Sequence, residues 1–139
     1  AVTAAVRAAL ATPRDPTAVL ADARDMRARL LRDLPPDGPW DLKGMAGGMT
    51  EVEFIAQSLC VAHAHAHPRL LRGTTREVLK ALGREGLLEE REAATLIEAE
   101  RLWRCLLGLL RLTVGKWRQP ELPPAAEEAL RHGAAALLG

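Results

Sequence analysis

The sequence predicts an all-α protein, a single helical bundle of five or six helices. Apolar residues recur at intervals of three and four along most of the chain, and no segment shows the period-two alternation of a strand. A chain of 139 residues with 48% hydrophobic content is long enough for one core and short for two. We therefore expect one helical domain over 1–139. Its expected parts are N-terminal helices (1–34), a Pro/Gly-rich loop with a motif (35–50), core helices (51–118) and a C-terminal helix (123–138).

Composition limits the function classes. A net charge of +1 disfavours a dedicated nucleic-acid binder, which usually carries a clustered basic excess. Cys60 and Cys105 are far apart, so no disulfide framework is expected and a reducing cytoplasm is the predicted location. No signal peptide is recognisable, and the most apolar run, 102–114, is too short to span a bilayer. We expect neither nucleic acid nor a membrane as a partner.

Two helices are predicted at the N-terminal end of the chain. The first covers 2–10, where apolar residues recur every four positions, and Pro13 ends it. Asp15 is expected as the N-cap of the second helix and Pro16 as its first residue, and this helix runs to about Asp33.

The second helix is predicted to pack through one apolar face. That face consists of Val19, Ala23, Met26, Leu30 and Leu34. Four arginines lie mostly off it: Arg24, Arg27, Arg29 and Arg32. We interpret them as a solvated surface, and the alternative is a phosphate-binding stripe.

The middle of the chain predicts two further helices. One starts at about Glu51 and ends near His67, because Pro68 disfavours helical geometry in the residue before it. The residues that it is expected to bury are Val52, Ile55, Leu59 and Ala62. The other covers about 75–82, begins with a capping box of Thr74 and Glu77, and is ended by Gly83 and Gly86.

The longest predicted helix covers 89–117. Its apolar stripe consists of Ala93, Leu96, Trp103, Leu107, Leu110, Val114 and Trp117. Because both tryptophans fall on this stripe, they are expected in the core or at its edge and not as a stacking platform. Pro120 ends the helix, and a last Ala-rich helix is expected over 123–138.

The segment 40–57, which we call the motif corner, combines glycines that suit an unusual backbone turn with residues that suit the start of a helix. Gly47 and Gly48 predict a turn where φ is positive or a side chain has no room. Thr50 and Glu53 have the spacing of a capping box. Met49 and Phe54 are expected to close a hydrophobic staple across it.

The polar residues of this corner are the candidates for function. Asp41, Lys43 and Glu51 are expected to be free, whereas Glu53 is assigned to the cap. Glu51 and Glu53 lie two apart on a helix and cannot share a proton or a metal ion. The glycine-rich stretch 44–48 before a helix start is also compatible with an anion-binding loop, although it matches no nucleotide-binding fingerprint.

A histidine cluster offers a weaker alternative. Cys60, His63 and His67 would share one stripe of a helix and could supply metal ligands, with His65 nearby. The simpler interpretation is a polar helix end, where imidazole favours the negative end of the helix dipole.

The corner carries a resemblance to a known family. The residues are Asp41-Leu42-Lys43, Gly47-Gly48 and the run Glu51-Val52-Glu53-Phe54-Ile55-Ala56-Gln57. They resemble a signature of the glutamine synthetase adenylyltransferase (glutamate–ammonia-ligase adenylyltransferase) family. In that family, the signature marks the helical domain that follows each nucleotidyltransferase domain. Two departures are visible. Glu51 stands where aspartate is common, and 104–108 lack a polar pattern often found in the long helix.

The resemblance implies a role in nitrogen metabolism. Such enzymes attach AMP from ATP to glutamine synthetase and remove it by phosphorolysis. It implies that ATP and Mg²⁺ belong to the catalytic domain of the parent enzyme, that this chain holds no cofactor or metal, and that it lacks catalytic residues. The implied partners are the chain's own nucleotidyltransferase domain, glutamine synthetase and a PII-type signalling protein. The spelling of the motif is more similar to that of the C-terminal, adenylylating half.

The motif then defines the candidate interface residues. They are Asp41, Lys43, Gly47, Gly48, Glu51, Glu53 and Gln57. Because the chain opens on Ala1, we expect it to be a piece of a longer protein. The alternative function is a free-standing helical adaptor that binds a partner helix through an exposed apolar groove.

Overall fold

The structure is a computed structural model that describes residues 2–113 together with Pro124, Glu128 and His132. The described residues form α-helices, one 3₁₀ turn and no strand, which confirms the all-α prediction. The α-helices are α1 (Val2–Leu10), α2 (Pro16–Asp33), α3 (Met49–His63), α4 (Thr75–Arg84) and α5 (Glu90–Thr113), and the 3₁₀ turn is Pro68–Leu70. Of the predicted helix 123–138, only Pro124, Glu128 and His132 are described, and all three are helical; the predicted end of the long helix lies outside the described residues.

The core forms where α3, α4 and α5 pack on one another, and α2 packs on the outer side of α3. Its buried residues are Val52, Ala56, Leu70, Val78, Leu79, Ala81 and Leu82. Each fully buried leucine stabilises the fold by about 1.5–3 kcal/mol. A second cluster joins Leu42 of the loop before α3 to Leu106 and Leu110 of α5. This second cluster fixes the motif corner to the longest helix.

The predicted apolar face of α2 is only partly correct: Val19, Ala23 and Leu30 are half-buried, whereas the other two residues are exposed. Met26 is 57% exposed and Leu34 is 63% exposed. The groove between α2 and α3 is lined by Ala23, as predicted, and by Leu20 and Leu31, which lie one position further around the helix than Val19 and Leu30. Helical spacing alone was compatible with both faces, and the contact with α3 decides between them.

The boundaries of α3 also differ from the prediction. The helix begins at Met49, two residues early, and ends at His63, four residues before His67. Val52 and Ala62 are buried as predicted, but Ile55 is 38% exposed.

The capping box at the start of α4 is confirmed. Glu77 N–H donates to Thr74 Oγ1 over 3.3 Å, and Thr74 N–H donates to Glu77 Oε2 over 3.1 Å. Gly86 has φ +70°, as expected after a helix end. Gly83, however, lies within α4, where a Cβ atom would be 3.1 Å from the Cβ of Ala93. It therefore allows α4 and α5 to approach closely.

A buried carboxylate connects α4 to α5. Glu100 is 1% exposed, and its Oε2 lies 2.7 Å from Nη2 of Arg76, while its Oε1 lies 2.6 Å from Nε of Arg104. Burial acts to raise the pKa of Glu100, but the hydrogen bonds and charges of Arg104 and Arg76 outweigh it, so its pKa is lowered. Sequence reasoning missed this residue, although Glu100 falls on the apolar stripe between Leu96 and Trp103.

Candidate functional site

Asp41 organises the loop that leads into α3. Its side chain is buried, with only 1% of the residue exposed. Oδ1 accepts from Gly44 N–H over 3.0 Å, and Oδ2 accepts from Asp37 N–H over 3.2 Å. The prediction that Asp41 is a free surface group is therefore wrong, because its carboxylate serves the fold of the loop.

Backbone carbonyls of the same loop cap the start of α3. Met49 N–H donates to Leu42 O over 3.0 Å, and Thr50 N–H donates to Lys43 O over 3.1 Å. These are the amides that an anion would use at a helix N-terminus. Since they are already bonded within the chain, the interpretation of 44–48 as an anion-binding loop is wrong.

Three glycines make this closure possible. Gly47 has φ +73°, which side chains rarely adopt. At Gly48 a Cβ atom would lie 2.5 Å from Leu42 O, and at Gly44 it would lie 2.8 Å from Asp41 Oδ2. The prediction of a turn that excludes side chains at Gly47 and Gly48 is confirmed in both of its forms.

Glu51, and not Glu53, closes the corner. The N-cap of α3 is Gly48, which has no side chain, so the Thr50–Glu53 capping box is not built; Met49 is the first helical residue and not the residue before the cap that a staple requires. Glu51 occupies the third helical position and its Oε2 accepts from Gly47 N–H over 2.7 Å. Within the described residues, the Glu53 carboxylate has no hydrogen-bond or ion-pair partner. The two glutamates thus exchange the roles that the sequence predicted.

Arg27 of α2 holds the corner from the other side. Its Nη2 lies 3.1 Å from Glu51 Oε1, and it also donates to Gly44 O over 3.1 Å and to Met45 O over 3.4 Å. Only 14% of its side chain is exposed, so its interpretation as a solvated residue is wrong. A signal was present in the sequence, since Arg27 lies four residues from Ala23 and Leu31 on the face that meets α3.

Trp103 of α5 completes the enclosure. Its Nε1–H donates to Gly47 O over 2.9 Å, and its ring packs beside Leu106 and Leu42. The tryptophan belongs to the edge of the core, as its position on the apolar stripe predicted. Trp117 lies outside the described residues.

The remaining candidates lie on the outer surface of the corner. Lys43 and Gln57 are exposed, and so is Ala46 in the loop before Gly48. The corner therefore has an interior built from Asp41, Glu51 and the glycines, and an exterior that presents other residues. The bonded interior can thus hold the exposed residues of the corner in fixed positions.

The histidines behave as separate groups at the end of α3. His67 Nδ1 lies 2.9 Å from Glu85 Oε2, and Cys60 Sγ donates to Leu70 O over 3.5 Å. Burial, together with the charges of His67 and His65, lowers the pKa of His63. In the part of the chain that the structure describes, no three His, Cys, Asp or Glu side chains could hold a metal ion together. Among those residues there is also no helix long and apolar enough to cross a membrane.

Comparison with known proteins identifies the family. The family model described as GlnD PII-uridylyltransferase matches residues 23–133, which is most of the chain. The chain belongs to this family. No solved structure matches it.

Curated relatives of this chain support the family resemblance that the motif indicated. The chain is 38% identical over 126 residues to a protein of Rhodopseudomonas palustris (strain TIE-1), covering 91% of this chain and 12% of that relative. It is 42% identical over 107 residues to a protein of Xanthobacter autotrophicus, covering 77% of this chain and 11% of that relative. Both carry the name bifunctional glutamine synthetase adenylyltransferase/adenylyl-removing enzyme. The resemblance to this group is confirmed, and the chain spans only about an eighth of such a relative's length.

Proposed function

We propose that this chain is a non-catalytic helical domain of a bifunctional glutamine synthetase adenylyltransferase/adenylyl-removing enzyme. In this role it packs on the nucleotidyltransferase domain and helps to bind the substrate protein or to regulate nitrogen assimilation. The small share of each relative that the chain spans supports a role as one part of a larger enzyme.

The internal bonding of the motif corner carries the proposal. Asp41 and Glu51 are the motif carboxylates that could have served chemistry, and both bind backbone amides of their own loop. Glu51 is also paired with Arg27. A carboxylate held by two such contacts is suited to fix a shape and poorly suited to accept a proton from a substrate.

The outer surface of the corner is the proposed domain interface. Lys43 and Gln57 are exposed beside the rigid interior and are its candidate contact residues. The other motif residues, Gly47, Gly48, Glu51 and Asp41, act by holding the loop that presents this surface. Glu53, in the first turns of α3, is half-buried.

The proposal assigns the cofactors elsewhere. ATP and Mg²⁺ would bind the catalytic domain of the parent, and glutamine synthetase and a PII-type protein would be partners of the whole enzyme in the cytoplasm. This chain would resemble the C-terminal, adenylylating half of that enzyme.

Binding of the chain to the separately produced nucleotidyltransferase domain of its parent tests the proposal. We expect a complex in isothermal titration calorimetry, weakened by Lys43→Ala with Gln57→Ala, and the thermal stability of each variant is measured alongside. The control is Arg7→Ala with Arg29→Ala, which alters exposed residues of α1 and α2. A complex that tolerates the corner variant and not the control would contradict the assignment of this surface.

One observation favours the alternative, a free-standing adaptor. The groove between α2 and α3 has a volume of about 520 Å³ and includes Leu20, Leu31, Phe54 and Leu59 in its lining. An amphipathic helix of a partner could bind there. Reading the open reading frame upstream of Ala1 separates the two ideas, because a nucleotidyltransferase domain there supports the first and a nearby start codon supports the second.

A further inference from the structure

A pocket of about 400 Å³ lies between α4 and the segment 69–72, which begins inside the 3₁₀ turn. Four basic residues line it: Arg69, Arg72, Lys80 and Arg84. We call it the basic pocket. Its four cations are exposed, and Ala81 is a buried part of its lining.

Two carboxylates also line the basic pocket, but both are engaged within the chain. Glu85 Oε2 lies 2.9 Å from His67 Nδ1, and Glu85 Oε1 lies 3.8 Å from Arg69 Nη1. Glu77 accepts from the N–H of Thr74 in the capping box. Both carboxylates keep their negative charge, so four cations and two anions leave the lining with a net charge of +2.

Two of the four pocket cations, Lys80 and Arg84, belong to α4. Lys80 and Arg84 lie one turn apart, and like charges at this spacing destabilise a helix. Neither has an ion-pair partner among the described residues. By contrast, Arg76 of the same helix and Arg104 of α5 are both paired with Glu100.

Arg72 adds a pre-oriented donor. Its Nε donates to Arg69 O over 2.8 Å, which holds the guanidinium by one edge. No other bond of this guanidinium is formed within the described residues, so its Nη groups can serve another acceptor. A guanidinium held in this way loses less side-chain entropy when it binds a carboxylate.

We propose that the basic pocket binds an acidic segment of a partner protein through several carboxylate side chains. The cations are exposed and spread over two segments, so one compact anion would meet only some of them. The lining has no aromatic residue on which a nucleotide base could stack. The two glutamates in the lining and the net charge of +1 disfavour a nucleic-acid backbone. The motif corner has no part in this pocket, so the inference stands apart from the function proposed above.

Binding of a labelled oligoglutamate peptide to the full 139-residue chain, followed by fluorescence anisotropy, tests this inference. The variant is Arg72→Gln/Lys80→Gln/Arg84→Gln. Its control, Arg7→Gln/Arg24→Gln/Arg29→Gln, removes the same charge from exposed arginines of α1 and α2. We expect at least about tenfold weaker binding for the pocket variant, an effect below about twofold for the control, and weaker binding of the wild type at high salt.

Three results would overturn the proposal. The first is no binding of the peptide by the wild type at low salt, and the second is an equal loss in both variants, which indicates general attraction of charge. The third is tighter binding of a single-stranded oligonucleotide of equal charge than of the peptide. All the substituted side chains are exposed, so we expect both variants to stay folded. Thermal melting of the two variants and the wild type checks this.

Discussion

The indole Nε1 of Trp103 lies 2.9 Å from the carbonyl oxygen of Gly47, so the middle of the longest helix holds the tip of the motif corner. The two residues are 56 positions apart in the chain. Together with Arg27 from α2, this contact anchors one short loop to two separate helices, α2 and α5. The corner is therefore a product of tertiary packing as much as of its own glycines.

Removal of the indole donor should loosen the corner. In Trp103→Phe the ring keeps most of its packing, but Gly47 O loses its partner, and we expect a loss of about 1 kcal/mol in the free energy of unfolding. Urea denaturation measures it. Hydrogen exchange should show less protection of the Met49 and Thr50 amides, whereas the amides in the middle of α4 serve as a control. Unchanged protection at Met49 would show that this bond does not hold the loop.

A matched pair of substitutions tests the exchange of roles between the glutamates. Glu51→Gln weakens the bonds to Gly47 N–H and Arg27, and we expect it to cost about 1–2 kcal/mol of stability. Glu53→Gln should stay within about 0.5 kcal/mol of the wild type. Both are read from urea denaturation at neutral pH. A larger loss of stability for Glu53→Gln than for Glu51→Gln would contradict this exchange and indicate that Glu53 is the capping residue.

Glycine substitutions should separate steric need from helix propensity. Gly48→Ala places a Cβ atom 2.5 Å from Leu42 O, and we expect it to cost about 3 kcal/mol or to prevent folding. Gly108→Ala in α5 meets no atom within 4 Å and should stabilise the chain by about 0.5–1 kcal/mol. Thermal unfolding of the two variants measures both effects. A tolerant Gly48 would mean that the loop can open without cost.

Acid should weaken the link between α4 and α5. Because the pKa of Glu100 is lowered in the folded chain, its ionisation stabilises the fold at pH values above the pKa of this side chain in the unfolded chain. That stability is lost as the pH falls through the lower folded pKa. We expect Glu100→Gln to cost about 2 kcal/mol at pH 7, and the difference from the wild type to shrink below pH 4. A difference that stays constant from pH 7 to pH 3 would contradict this role.

The sequence predicted the helical architecture and the places where capping rules act on neighbouring residues. The Thr74–Glu77 box and the Asp15–Pro16 start of α2 are both confirmed, since each depends on residues within one turn. The need for glycine at Gly47 and Gly48 was also visible, because only glycine suits such a turn.

The errors arose where distant groups compete with local ones. Thr50 and Glu53 have the spacing of a capping box. The first amides of α3, however, donate to the backbone oxygens of Leu42 and Lys43, so no side-chain hydroxyl is needed to cap them. The α3 helix therefore begins two residues earlier, which moves Glu51 into the position assigned to Glu53. Arg27 reaches this glutamate from 24 residues away, and no rule on neighbouring residues could have found that pairing.

Transfer of AMP is the most direct test of the central claim that this domain supports an enzyme without carrying its chemistry. Radiolabelled ATP, Mg²⁺ and glutamine synthetase are incubated with the 139-residue chain, and the full-length parent is the positive control. We expect label on glutamine synthetase with the parent and none with the chain alone. Detectable transfer by the chain alone would contradict the claim, because the motif corner would then have to contain catalytic groups.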